Sequence, residues 1–192
     1  MDVVQRWSER IAQRVAPEEA DFAAEVGVAY AAGGQARKEL LPRPGTQPGA
    51  FGPGANAADL PLILQGLADA ASALLAFLRS PYLANALAAA GLLMAFRADR
   101  HHEQGTAQAT PLSERQALEA AFGSLRDRLV SAGFTRARAD HLAGELLEEL
   151  LTDTAEAAQF VDALAAVPDS GGGRRPQPAA THGGQHRKRR RP

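Results

Sequence analysis

Apolar residues recur at three- and four-residue spacing along most of this chain, and no stretch alternates with the two-residue period of a strand. From the N-terminus, Asp2 stands as an N-cap with Gln5 three positions on. Val4, Trp7, Ile11 and Val15 then follow at helical intervals. Pro17, with Glu18, Glu19 and Asp21 behind it, marks a second start, because proline fits a first turn and acids suit the positive end of the helix dipole. Its expected stripe is Phe22, Val26 and Tyr30, closed by Gly33-Gly34. Residues 1–41 thus form an N-terminal helical pair, and the Pro- and Gly-dense residues 42–58 form a linker.

The most apolar part runs from Leu60 to Phe96, interrupted at Arg79-Ser80-Pro81. Gln65, Asp69, Ser72 and Arg79 make one narrow polar stripe on its first half, so most of that surface requires cover. Its second half carries small residues at Ala84, Ala88 and Ala95 beside Leu83, Leu87, Leu92, Met94 and Phe96. Small side chains let a second backbone approach closely, which makes those five large residues a candidate partner-binding face. Residues 59–102 are therefore expected to be an apolar hairpin packing with the N-terminal helices, followed by a linker at 103–112.

Three better punctuated helices make up residues 113–167, expected to be an antiparallel three-helix unit. Ser113 and Gln116 offer a capping box ahead of Leu118, Phe122, Leu125 and Leu129. Gly133 stops that helix, and Phe134 is set for the apolar contact that accompanies a glycine C-cap. Thr135 caps the next helix, which carries Leu142, Leu146 and Leu150. Asp153 and Glu156 open the last one, with Phe160, Val161, Leu164 and Val167 on its apolar side and Pro168 behind. The pattern as a whole predicts an all-α protein, a bundle of about seven helices with a disordered basic C-terminal tail at 168–192.

Composition sharpens this picture. Of the 192 residues 45% are hydrophobic but only 5% aromatic, so the core must be built from Ala, Leu and Val. The absence of Cys excludes disulfides, thiolate metal sites and a cysteine nucleophile. The first helix carries Arg6, Glu9, Arg10 and Arg14, which leaves no apolar signal-peptide region and makes the cytoplasm the expected location. The net charge of −1 hides a strong asymmetry. Seven of the 21 basic residues and one of the 22 acids lie from Pro168 onward, which puts the body at net −7 and the tail at net +6.

Candidate chemistry is sparse. Gly52 to Ala57 matches a dinucleotide-loop spacing, but Pro and Gly precede it where a parallel strand is required. His101-His102-Glu103, near Asp99, invites a metal reading, yet adjacent helical histidines point about 100° apart and more simply offset the dipole at a helix end. His141, Glu145, Glu148 and Glu149 lie opposite the leucines of their helix and are expected to form a solvated face. Ser131 to Thr135, with Arg136 and Arg138 leading the next helix, has the form of a helix-turn-helix. Five Arg against ten acids between Ser113 and Val167 make that a poor surface for phosphates. The chain lacks a P-loop, G-x-S-x-G and H-E-x-x-H, so neither an enzymatic activity nor a cofactor or metal is expected.

The leading expectation is a non-enzymatic scaffold, adaptor or assembly protein that binds itself or a protein partner through apolar helix faces. Two alternatives rest on other segments. The cluster Arg187, Lys188, Arg189, Arg190 and Arg191 suits non-specific binding to nucleic acid or another anionic surface, with no tail aromatic for bases to stack on. The other alternative, less favoured, is a membrane-associated helical protein that inserts the 60–96 hairpin, whose charge-free stretch from Ser80 to Phe96 falls at the lower length limit of a span.

Overall fold

The computed structural model describes residues 2–41, 59–81, 83 and 112–166, with side chains from Arg115 onward in the last stretch. Within them the chain forms eight α-helices and one 3-10 turn, and no strand. These are α1 (Val3–Val15), the 3-10 turn (Pro17–Phe22), α2 (Ala23–Ala32), α3 (Gly34–Leu40) and α4 (Asp59–Asp69). They continue with α5 (Ala71–Leu78), α6 (Leu112–Ser131), α7 (Arg136–Leu150) and α8 (Thr154–Ala165). Residues 42–58, 84–111 and 167–192 lie outside the described residues.

Capping chemistry places several helix starts where the pattern puts them. The Asp2 backbone N–H donates to Gln5 Oε1 at 3.2 Å. Thr135 Oγ1 accepts from the Arg138 N–H, and Asp153 Oδ1 accepts from the Glu156 N–H at 3.0 Å. Gly133 takes φ of 112°, a conformation costly for any residue with a Cβ, and Phe134 folds back to 8% exposure. Ser113 departs from expectation and lies inside α6, which begins at Leu112.

The start of α4 is held from a distance. Glu19 in the 3-10 turn accepts the backbone N–H groups of Asp59 at 2.6 Å and Leu60 at 3.2 Å, and Pro61 has no N–H to satisfy. Arg138 of α7 pairs with the Asp59 side chain at the same place. Burial pushes the Glu19 carboxyl above its ordinary value despite these two N–H donors, and the nearby Asp59 and Glu18 carboxylates add to the shift.

One core joins α1, α2 and α4 to α8, with Trp7, Ile11, Leu60, Ile63, Leu64, Leu67, Leu74, Leu125, Leu129 and Phe160 at its centre. The α8 helix was expected to close a unit with α6 and α7. It packs chiefly against α1, α4 and α5 instead, while α6 and α7 pair with each other. Trp7 and Phe160 supply the reason, since their rings stack at 5.8 Å between centroids and draw α8 onto α1. The apolar run also breaks earlier than its sequence suggests. It bends by 67° at Ala70, between α4 and α5, before reaching Arg79. Among the described residues no single helix is long and apolar enough to cross a membrane. The leucines of α4 and α5 are largely buried in the core, and of the polar stripe Asp69, Ser72 and Arg79 are exposed while Gln65 is partly buried.

The α1–α2 seam differs from its pattern for a steric reason. The expected stripe began at Phe22, which is 64% exposed, whereas the buried line is Ala23, Gly27 and Tyr30. A Cβ added at Gly27 would lie 2.0 Å from Ser8 Oγ and 2.7 Å from Ser8 Cβ. At Gly27 the two helices approach so closely that no side chain fits, whereas Tyr30 is buried one turn on and Phe22 is turned out. In α6, by contrast, a Cβ at Gly123 would meet nothing within 4 Å. Gly27→Ala is therefore expected to destabilise by about 1–3 kcal/mol of overpacking, less its gain in helix propensity. Gly123→Ala is expected to stabilise by up to about 1 kcal/mol. Urea titration of both variants checks this; shifts of the same sign would deny the close approach.

Candidate functional site

Arginines recur every four residues along α1, at Arg6, Arg10 and Arg14, and this spacing lines them up on one side of the helix. Facing them are carboxylates of α7 and α8. Arg14 Nε donates to Glu145 Oε2 and its Nη2 to Glu148 Oε2, both at 2.7 Å, and Nη1 lies 3.4 Å from Glu149 Oε2. Arg10 Nε donates to Glu149 Oε1 at 2.9 Å, and its Nη2 also reaches Thr152 Oγ1. The Arg10 guanidinium lies 4.2 Å above the Trp7 ring centre. Arg6 extends the row to Glu156 at 3.5 Å.

This corrects the expected solvated face. Only His141 of that group is exposed. Glu148 is 6% exposed, and the Glu145 and Glu149 side chains are largely covered. Two ladders with ordinary i, i+4 spacing each suit water when taken alone. They become a half-buried cluster because α1 lies across α7, and neither ladder names the other as its partner. Charges taken out of water need geometry this close to offset their desolvation. The cluster therefore ties the N-terminal helices to α7, and its guanidinium groups are occupied by carboxylates rather than presented to a substrate.

The remaining sequence candidates are placed as follows. Leu83 is 3% exposed and belongs to the core, while Leu87, Leu92, Met94 and Phe96 lie outside the described residues. So do Gly52 to Ala57, Asp99, His101 to Glu103, and Arg187 to Arg191. Of the helix-turn-helix, α7 has eight of its fifteen residues buried: Ala139, Leu142, Ala143, Gly144, Leu146, Leu147, Glu148 and Leu150. A recognition helix needs a free face for base edges, and Arg138, which would lead it, pairs with Asp59 and lies over Phe134. Among the described residues no group of three or more His, Asp or Glu side chains converges to hold a metal ion.

Two features were not foreseen. Trp7 Nε1, Ser8 Oγ and Tyr30 Oη are buried without a hydrogen-bond partner among the described residues, and burial pushes the Tyr30 hydroxyl well above its ordinary range. The outward side of α2 is also apolar. Val28 is 41% exposed, on a line with Ala24 and Ala32, and Glu25 is the helix's single charge. Phe22 stands exposed at its start. The signal for this surface was present in α2, which is apolar nearly all round and so cannot bury every face in one bundle. No protein-family model, curated protein or solved structure matches the chain.

Proposed function

We propose that the chain is a non-enzymatic helical assembly or adaptor protein, and that it associates with a second copy of itself through the outward side of α2. The observation that carries this reading is the line Ala24, Val28 and Ala32, along which the described residues leave Val28 and Ala32 exposed and Ala24 partly so. Small residues four apart let a second helix approach closely, and such a line is self-complementary across a twofold axis. The apolar sides of α4 and α5 are taken up by the chain's own core, whereas α2 presents Val28, as exposed as Val130 of α6, beside small residues at four-residue spacing. Polyanion binding through Arg187 to Arg191 is the rival reading. The body gives it no support, because its net charge of −7 repels phosphates.

Light scattering across a concentration series tests the proposal. The full chain is expected to form a dimer, and Val28→Glu to return it to a monomer with unchanged helical circular dichroism, since Val28 lies outside the core. A chain that stays monomeric at every concentration overturns self-association.

A further inference from the structure

Phe22 is the most exposed large apolar residue among those described, at 64%, and Glu18, Glu19, Asp21 and Glu25 flank it along the chain. In a 3-10 turn residues three apart eclipse, so Glu18 and Asp21 share one edge of the turn while Glu19 and Phe22 share the next. Glu25 stands one turn further on, in α2. Glu19 is engaged with the start of α4, which brings Asp59 to the same region. Glu18, Asp21 and Glu25 are exposed and pair with no cation among the described residues. The turn that carries this exposed ring and the helix starts beside it thus hold five carboxylates, and among the described residues one guanidinium, that of Arg138, pairs with one of them, Asp59. The upward push that Asp59 and Glu18 give the Glu19 carboxyl reports the same crowding of negative charge.

We infer that this acid-rimmed aromatic surface is the docking site of the chain's own basic cluster, Arg187 to Arg191, bound intramolecularly. Charge complementarity selects the occupant. The tail is net +6, and its arginines offer planar guanidinium groups that pair with carboxylates and stack on an aromatic ring. Chain length permits the contact. Ala166 ends the described region, and the 21 residues from there to Arg187 span at most roughly 70 Å when extended. A random coil of 21 residues averages about 25 Å end to end. A tether of that kind presents its end at an effective concentration on the order of millimolar, so weak individual contacts suffice to populate the docked state. The inference concerns a single chain and stands apart from self-association through α2.

Amide NMR spectra of the full chain test this against a variant carrying Arg187→Ser, Lys188→Ser, Arg189→Ser, Arg190→Ser and Arg191→Ser. At low salt and dilute protein, shift differences are expected to concentrate at residues 18–28 and at Asp59 and Leu60. They should be lost in roughly 0.5 M salt, where exposed charges are screened within a few ångströms. They should also be lost when Glu18→Lys, Asp21→Lys and Glu25→Lys are combined, with helical circular dichroism retained. Superimposable spectra across residues 18–28 at low salt would overturn the docking. Differences that grow with protein concentration, together with a rise in mass, would overturn its intramolecular form in favour of a second copy's tail.

Discussion

Truncating Trp7 to alanine is expected to cost about 3–5 kcal/mol, the usual range for removing a buried large aromatic. For a domain whose total stability is about 5–15 kcal/mol, the loss is large enough to unfold a substantial population. Trp7 is fully buried, stacks on Phe160 and lies under the Arg10 guanidinium, so α8 loses its stacking partner and Arg10 its ring at once. Trp7→Phe is expected to cost clearly less. It keeps a ring against Phe160 and deletes a buried indole N–H that has no partner among the described residues, a group whose desolvation costs about 1–3 kcal/mol. Urea unfolding followed by circular dichroism measures both variants. An alanine variant within about 1 kcal/mol of the wild type would mean that α8 does not rest on α1.

The second large effect concerns Arg14→Ala, expected to cost about 2–4 kcal/mol. The guanidinium touches Glu145, Glu148 and Glu149, and its loss strips an offsetting charge from a site where Glu148 is 6% exposed. Half-burial of Arg14 itself sets the figure somewhat below that of a fully buried pair. Glu148→Ala in the Arg14→Ala background should recover part of the loss, because the second change removes a buried charge that the first deprives of the Arg14 guanidinium. The two losses are thus expected to fall short of additive in a double-mutant cycle. They should also persist in about 0.5 M salt, unlike those of exposed pairs such as Arg115–Glu119. Strict additivity would place the cluster among ordinary surface charges.

The hydroxyls of Ser8 and Tyr30, buried without a partner among the described residues, bear on the same seam. Ser8 is fully buried against Gly27, so its small size rather than its hydroxyl explains its place, and the pairing of Ser8 with Gly27 sets the α1–α2 distance. With Tyr30 one turn beyond Gly27, the arrangement fixes which face of α2 turns inward and leaves Phe22 and Val28 outside.

Local chemistry read along the chain determined the helical class, the capped starts at Asp2, Thr135 and Asp153, the stop at Gly133 and most of the core leucines. Each of these depends on residues within about one helical turn of one another. The tertiary structure alone decided what crosses between distant segments. It set the α1 arginines against the α7 carboxylates, brought Glu19 to the start of α4 forty residues away, and turned Phe22 outward by seating Ser8 on Gly27. The physical reason is that hydrophobic periodicity ranks faces by how apolar they are. Partner choice between helices depends on distance of approach and on charges whose counterparts lie more than a hundred residues off, as with Arg14 and Glu148.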